Sequence, residues 1–116
     1  MKTLEHNWLP KVITFEKIKP FTNVCVVTGI SEAVNVEVMY TPKDKVIDIC
    51  SYREYFENWQ SNLSIEDIAD KIAKEIIDSA NPLMLQVKVY LDDPRLTPWS
   101  VSVHYYADEW KSISQE

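Results

Sequence analysis

Cys25 and Glu32 are the residues of this chain best suited to covalent chemistry. The thiol lies in the run Phe21-Thr22-Asn23-Val24-Cys25-Val26-Val27-Thr28-Gly29, and the carboxylate follows across the Thr28-Gly29 turn. Gly29 is the only glycine in 116 residues, so the one inexpensive place for positive φ lies beside the thiol. A carboxylate does not ionise a neighbouring thiol, because its negative charge raises the thiol pKa. It can instead carry a proton. A neutral acid next to a nucleophilic cysteine suits addition to a group whose heteroatom takes up a proton as the sulfur attacks. On residue type alone, a cysteine in this Val-rich run is more often a small buried hydrophobe than a nucleophile.

Other chemical signatures are missing. There is no phosphate-cradling loop, no GxGxxG and no CxxC, and the two histidines, His6 and His104, are far apart. A cysteine-histidine protease and a zinc site are therefore not indicated, and no metal is expected. His104 falls on the polar face of a strand and reads as a surface or interface residue. Cys50 stands just ahead of a helix start, where the dipole can acidify a thiol, but no neighbour points to a reaction there.

The elements that must position these residues follow from periodicity. β-Branched residues dominate Val12–Lys19 and Val24–Val27, which suits strands. Val34, Val36, Val38 and Tyr40 alternate with Asn35, Glu37 and Met39 up to Thr41-Pro42, predicting a half-buried strand followed by a loop at 43–45. Ser51-Tyr52-Arg53-Glu54 has the form of a capping box. The helix it would open carries Tyr52, Tyr55, Phe56 and Trp59 on one aromatic face, which reads as core packing. Ser64 to about Ser79 predicts a second helix, with Ile65, Ile68, Ala69, Ile72, Ala73, Ile76 and Ile77 in one stripe and Asn81-Pro82 as the stop. Glu66, Asp67 and Asp70 favour the positive end of its dipole. Leu83–Leu91 and Trp99–Tyr105 alternate as two further strands, joined by a turn at Asp92-Asp93-Pro94-Arg95. The order strand-strand-helix-helix-strand-strand predicts an α+β fold, a four-stranded antiparallel sheet with two helices on one face.

Composition sets broad bounds. With 13.5 kDa and 46% apolar residues, residues 1–116 are expected to form a single domain, completed by neighbouring copies. Two cysteines, no secretory leader and no long apolar run predict a soluble, cytoplasmic protein with free thiols. The net charge is −6, which opposes broad nucleic-acid binding but leaves room for one RNA met by a local basic patch. Residues 1–47 hold six Lys and five acids, whereas 48–116 hold six Lys or Arg and thirteen acids. Lys11, Lys17, Lys19, Lys43 and Lys45 lie in the less acidic part.

The run from Phe21 to Gly29, continuing into Val34–Pro42, resembles the segment around the catalytic cysteine of the QueF nitrile reductases. Asp48-Ile49-Cys50-Ser51-Tyr52-Arg53-Glu54-Tyr55 is similar to their signature Glu-x-Lys-Ser-x-Lys-x-Tyr in degenerate form. The likeness extends from about Phe21 to Tyr105. It implies the tunnelling fold, whose strand-strand-helix-helix-strand-strand units assemble into barrels with sites between subunits, here a homo-oligomer of pentamers or pairs of pentamers. It also implies that Cys25 adds to the nitrile carbon of 7-cyano-7-deazaguanine, that Glu32 stands where the family has a proton-donating aspartate, that Glu66 receives the ring N–H groups of the base, and that Ser51 helps to hold it. Basic positions that serve NADPH in the reductases read Cys50, Arg53 and Gln60, and the histidine before the base-binding glutamate reads Ile65.

These departures are similar to the QueF-like amidinotransferases of archaea. That likeness implies a tRNA substrate carrying 7-cyano-7-deazaguanine, ammonia as co-substrate and no cofactor. NADPH-dependent reduction of the free base is the alternative, followed by a noncatalytic purine- or pterin-binding protein of the same fold.

Overall fold

The computed structural model describes residues 1–5, 12–15, 20–24, 26–59, 62–91 and 100–110. Among these residues, seven strands and two long helices follow the order β1 (Thr3–Glu5), β2 (Ile13–Phe15), β3 (Phe21–Val24), β4 (Ser31–Thr41), β5 (Lys45–Ile47), α1 (Ile49–Glu57), α2 (Ile65–Ala80), β6 (Met84–Leu91) and β7 (Ser100–Tyr106). All pairings are antiparallel. β4 is central, with β6 along one side and then β7. On its other side, β2 pairs with Val38–Tyr40 and β3 with Ser31–Val34. The expected four ranks of sheet are thus present, with the first rank made of two short segments. β1 and β5 form a separate two-stranded ribbon.

Alternation along β4 explains which face is buried. Val34, Val36, Val38 and Tyr40 are fully buried, as are Leu85, Val87 and Val89 of β6, and they meet Ile68, Ala69, Ile72 and Ile76 of α2 with Tyr52 and Phe56 of α1. Both helices therefore cover one face. Burying a side chain of this size stabilises by about 1.5–3 kcal/mol, so the apolar row of β4 fixes which way its intervening residues point. The opposite face carries Glu37 and Met39 of β4, Gln86 and Lys88 of β6, and Ser102 and His104 of β7.

Three local expectations change. The strand expected over Val24–Val27 instead ends at Val24, and residues 26–28 form a turn with Val27 82% exposed. β-Branched composition there yields to the φ of +73° at Gly29, which ends extended pairing. Lys45, expected in a loop, opens β5. The capping box does not form at Ser51. Asp48 is the N-cap of α1: its backbone is extended at φ −68° and ψ 123°, and its carboxylate accepts from the Ser51 N–H at 3.2 Å. An aspartate three positions earlier starts the helix one turn sooner and consumes the Ser51 amide. α2 begins as expected, with Ser64 Oγ accepting from the Asp67 N–H at 3.2 Å, and it ends at Asn81 in the left-handed region.

Candidate functional site

Cys25 lies outside the described residues, as do Gln60, Lys11, Lys17, Lys19, His6 and the expected turn at 92–95. Its flanks are described. β3 ends at Val24, β4 begins at Ser31, and these two residues are paired, so residues 25–30 connect a hairpin. Within that connection the Thr28 hydroxyl accepts from the Ile30 N–H at 3.2 Å. Val24, Val26, Val27 and Ile30 are all exposed. Four aliphatic side chains facing water beside one loop form an apolar patch, a feature that marks contact surfaces.

Glu32 sits just past this connection, on the face of β4 that carries Val34 and Val36. It is 7% exposed, and its Oε2 is buried with no hydrogen-bond partner among the described residues. A carboxylate oxygen in this condition is costly, because it has given up water for nothing in return.

Directly opposite Glu32 in the β3–β4 register is Asn23, which is 1% exposed. Its Nδ2 donates to the Leu63 carbonyl at 2.9 Å, and its Oδ1 accepts from the Leu63 N–H at 3.3 Å. Leu63 adjoins Ser64, the N-cap of α2, whose first turn presents Glu66 and Asp67. Glu66 itself is exposed. The strand leading to position 25 and the helix start bearing Glu66 are therefore tied together, with Glu32 beside the tie. Sequence reasoning passed over Asn23, although its position offers a signal: it shares the apolar face of β3 with Phe21, where a polar amide is unexpected unless both its groups are used.

Ser51 is placed elsewhere. Its hydroxyl accepts from the Lys2 backbone N–H at 2.7 Å. It lines a cavity of about 480 Å³ with Met1, Glu54, Tyr55, Asn58, Trp59 and Lys71, to which neither Glu32 nor Glu66 contributes. Lys71 Nζ lies 4.6 Å from the centre of the Trp59 ring, a cation–π contact. Cys50 is exposed. Arg53 is exposed too, with Nε 3.9 Å from the Glu57 carboxylate, so the basic residue of the degenerate signature already faces an acid of its own helix.

Among the described residues no three His, Cys, Asp or Glu side chains are grouped as a metal ion requires, and no helix is long and apolar enough to cross a membrane. What the site can do is present a buried acid and an exposed one at the same end of the sheet as the connection carrying position 25.

No family model matches the chain. Among curated proteins it is similar to the NADPH-dependent 7-cyano-7-deazaguanine reductase of Chlorobium chlorochromatii, 24% identical over 115 residues that cover 90% of this chain and 92% of that one. It is likewise similar to the reductase of the same name from Caulobacter vibrioides, 31% identical over 71 residues, or 60% of this chain and 47% of that one. Among solved structures it superposes on the archaeosine synthase QueF-Like in the apo form with a TM-score of 0.73 at 16% identity, covering 86% of this chain and 98% of the other. A putative dihydroneopterin aldolase (FolB) from Vibrio cholerae gives a TM-score of 0.63 at 12% identity, covering 86% of this chain and all of the other. The fold is the tunnelling fold, and both comparisons meet the resemblance seen in the residues.

Proposed function

We propose that the chain belongs to the QueF family and, within it, is a tRNA-modifying amidinotransferase that converts the nitrile of 7-cyano-7-deazaguanine in tRNA to the formamidine of archaeosine. The observation that carries this is Glu32, a buried carboxylate whose Oε2 has no hydrogen-bond partner among the described residues, held beside the strand that leads to Cys25 and opposite an asparagine tied to the start of the helix bearing Glu66. In this reaction the Cys25 sulfur bonds to the nitrile carbon, one electron pair of the C≡N bond moves to nitrogen, and Glu32 delivers the proton that nitrogen takes up. Ammonia then adds to the thioimidate carbon, and collapse of the adduct breaks the C–S bond and returns the thiolate, so nitrile plus ammonia gives amidine with no change of oxidation state. Glu66 accepts the ring N–H groups of the base.

Ser51 takes part only if it belongs to the site of a neighbouring copy, since within one chain it lines a different cavity. Assembly of copies fits the sheet: among the described residues β7 pairs only with β6, and β2 and β3 only with β4, which leaves edges that a second strand can complete. The proposed assembly is a homo-oligomer, a pentamer or a pair of pentamers, working without metal or redox cofactor.

A second activity is favoured by the names of the curated relatives, NADPH-dependent reduction of the free base to the aminomethyl form. Against it stand Cys50 and the Glu57-facing Arg53, which leave the signature helix poor in free cations for the phosphates of NADPH. The two are separated by supplying the nitrile base with NADPH while following NADPH absorbance, and by supplying nitrile-bearing tRNA with ammonium while following the nucleoside by mass. Amidine formation without NADPH consumption supports the proposal. Steady NADPH consumption overturns it in favour of reduction.

A further inference from the structure

We infer that Asn23 is a positioning residue, whose side-chain amide clamps the strand leading into Cys25 against the N-terminus of α2 and so sets the thiol relative to a base held by Glu66; this rests on the nitrile-adding reaction proposed above. Three observations meet here. Asn23 is essentially sealed from water on the face of β3 that it shares with Phe21, opposite the buried Glu32. Both ends of its amide are used on one residue, Nδ2 to the Leu63 carbonyl and Oδ1 to the Leu63 N–H. The two segments so joined are far apart in sequence, and each carries a proposed site residue within three positions of the contact, Cys25 two after Asn23 and Glu66 three after Leu63.

The form of the clamp matters. A side-chain amide that pairs with both the N–H and the C=O of one backbone residue mimics a rung of β-ladder, fixing direction as well as distance. Nothing else described on β3 contributes a polar tie to this segment: Thr22 and Val24 are exposed and point to the other face. Among the described residues the Asn23 amide is thus the polar tie between β3, which leads to position 25, and the segment that opens α2. Misplacement of about 1 Å between reacting groups costs as much as 10²-fold in rate while leaving the binding contacts themselves in place.

The test compares the wild type with Asn23→Ala and with Asn23→Ser, whose hydroxyl can serve one of the two Leu63 groups but not both. The rate of covalent adduct formation with 7-cyano-7-deazaguanine is measured by intact mass across base concentrations, corrected for the folded fraction by circular dichroism. The expected result is a ten- to hundredfold fall in the saturating rate for Asn23→Ala, a smaller fall for Asn23→Ser, and a half-saturating base concentration within about twofold of wild type. An unchanged saturating rate overturns the inference, as does a loss confined to the half-saturating concentration. If the wild type forms no adduct, the proposed reaction has failed. The clamp is then judged by iodoacetamide labelling of Cys25 relative to Cys50 in the same molecules, where a ratio shifted at least threefold in either variant supports it and an unchanged ratio overturns it.

Discussion

Replacing Gly29 by alanine isolates backbone strain from crowding. The glycine has φ +73°, and a Cβ built there meets no atom within 4 Å, so the substitution adds nothing that must be accommodated by packing. What remains is the cost of holding an L-residue in the left-handed region, about 1–2 kcal/mol. For a chain of 116 residues the unfolding entropy is roughly 240 cal/mol/K, so this cost lowers the thermal midpoint by roughly 4–8 °C. Asparagine enters this region far more readily, and the chain already holds Asn81 at φ 45° as the C-cap of α2. Gly29→Asn is therefore expected to lose less than half of what Gly29→Ala loses. Urea and thermal unfolding followed by circular dichroism at one protein concentration measure both. Equal stability of wild type and Gly29→Ala would refute the strain account. A Gly29→Asn loss as large as that of Gly29→Ala would refute it too, because side-chain size rather than φ would then decide.

Glu32→Gln is expected to slow adduct formation with the nitrile base by about 10²–10⁴-fold, the usual contribution of a placed general acid, while Glu32→Asp retains most of the rate; a Gln variant at wild-type rate would remove Glu32 from the mechanism. Tyr40→Phe deletes the hydroxyl that accepts from the Ile47 N–H at 2.9 Å inside the core and is expected to cost about 1–3 kcal/mol in urea unfolding. Tyr52→Phe removes a buried hydroxyl with no partner among the described residues and is expected to be neutral or stabilising; the reverse order of the two would contradict the hydrogen-bond assignment. Burial raises the phenols of Tyr40, Tyr52 and Tyr55 above their ordinary value of 10.0, that of Tyr55 to about 12 with help from the Glu75 charge. The unfolded chain releases these protons first, so their stabilisation is complete below pH 10 and is lost progressively as pH rises through the raised folded values. Unfolding midpoints measured from pH 8 to 12 should fall over that window, and a flat profile would contradict it.

How much of this was legible in the residues depended on the length of each signal. α2 has a stripe running over four turns between Ser64 and Asn81, and β4, β6 and β7 each alternate over seven or more residues, so period alone identifies them. β1 and β5 are three residues each and pair across forty positions or more, and so short a segment carries no period. The start of α1 was misplaced because both Asp48 and Ser51 are good cap residues, and only the fold shows that the Ser51 hydroxyl is taken by Lys2. The β3–β4 hairpin was misread at Val26 and Val27, whose type favours a strand while the adjoining glycine ends it. Of the candidate site, Glu32 is singled out by its spacing from Cys25 and Glu66 by resemblance alone, and the fold adds what no spacing shows: that Glu32 Oε2 is buried with no hydrogen-bond partner among the described residues and that Asn23 ties β3 to Leu63. Ser51 was placed in the site by resemblance, whereas within one chain it belongs to another cavity.

The central claim is that the sulfur of Cys25 bonds to a nitrile carbon. Intact-mass analysis after mixing the protein with 7-cyano-7-deazaguanine in the absence of ammonia and NADPH tests it most directly. The expected result is a gain equal to the whole base, mapped by peptide mass to Cys25 and absent from Cys25→Ala. No gain in mass, or a gain that persists in Cys25→Ala, would contradict it.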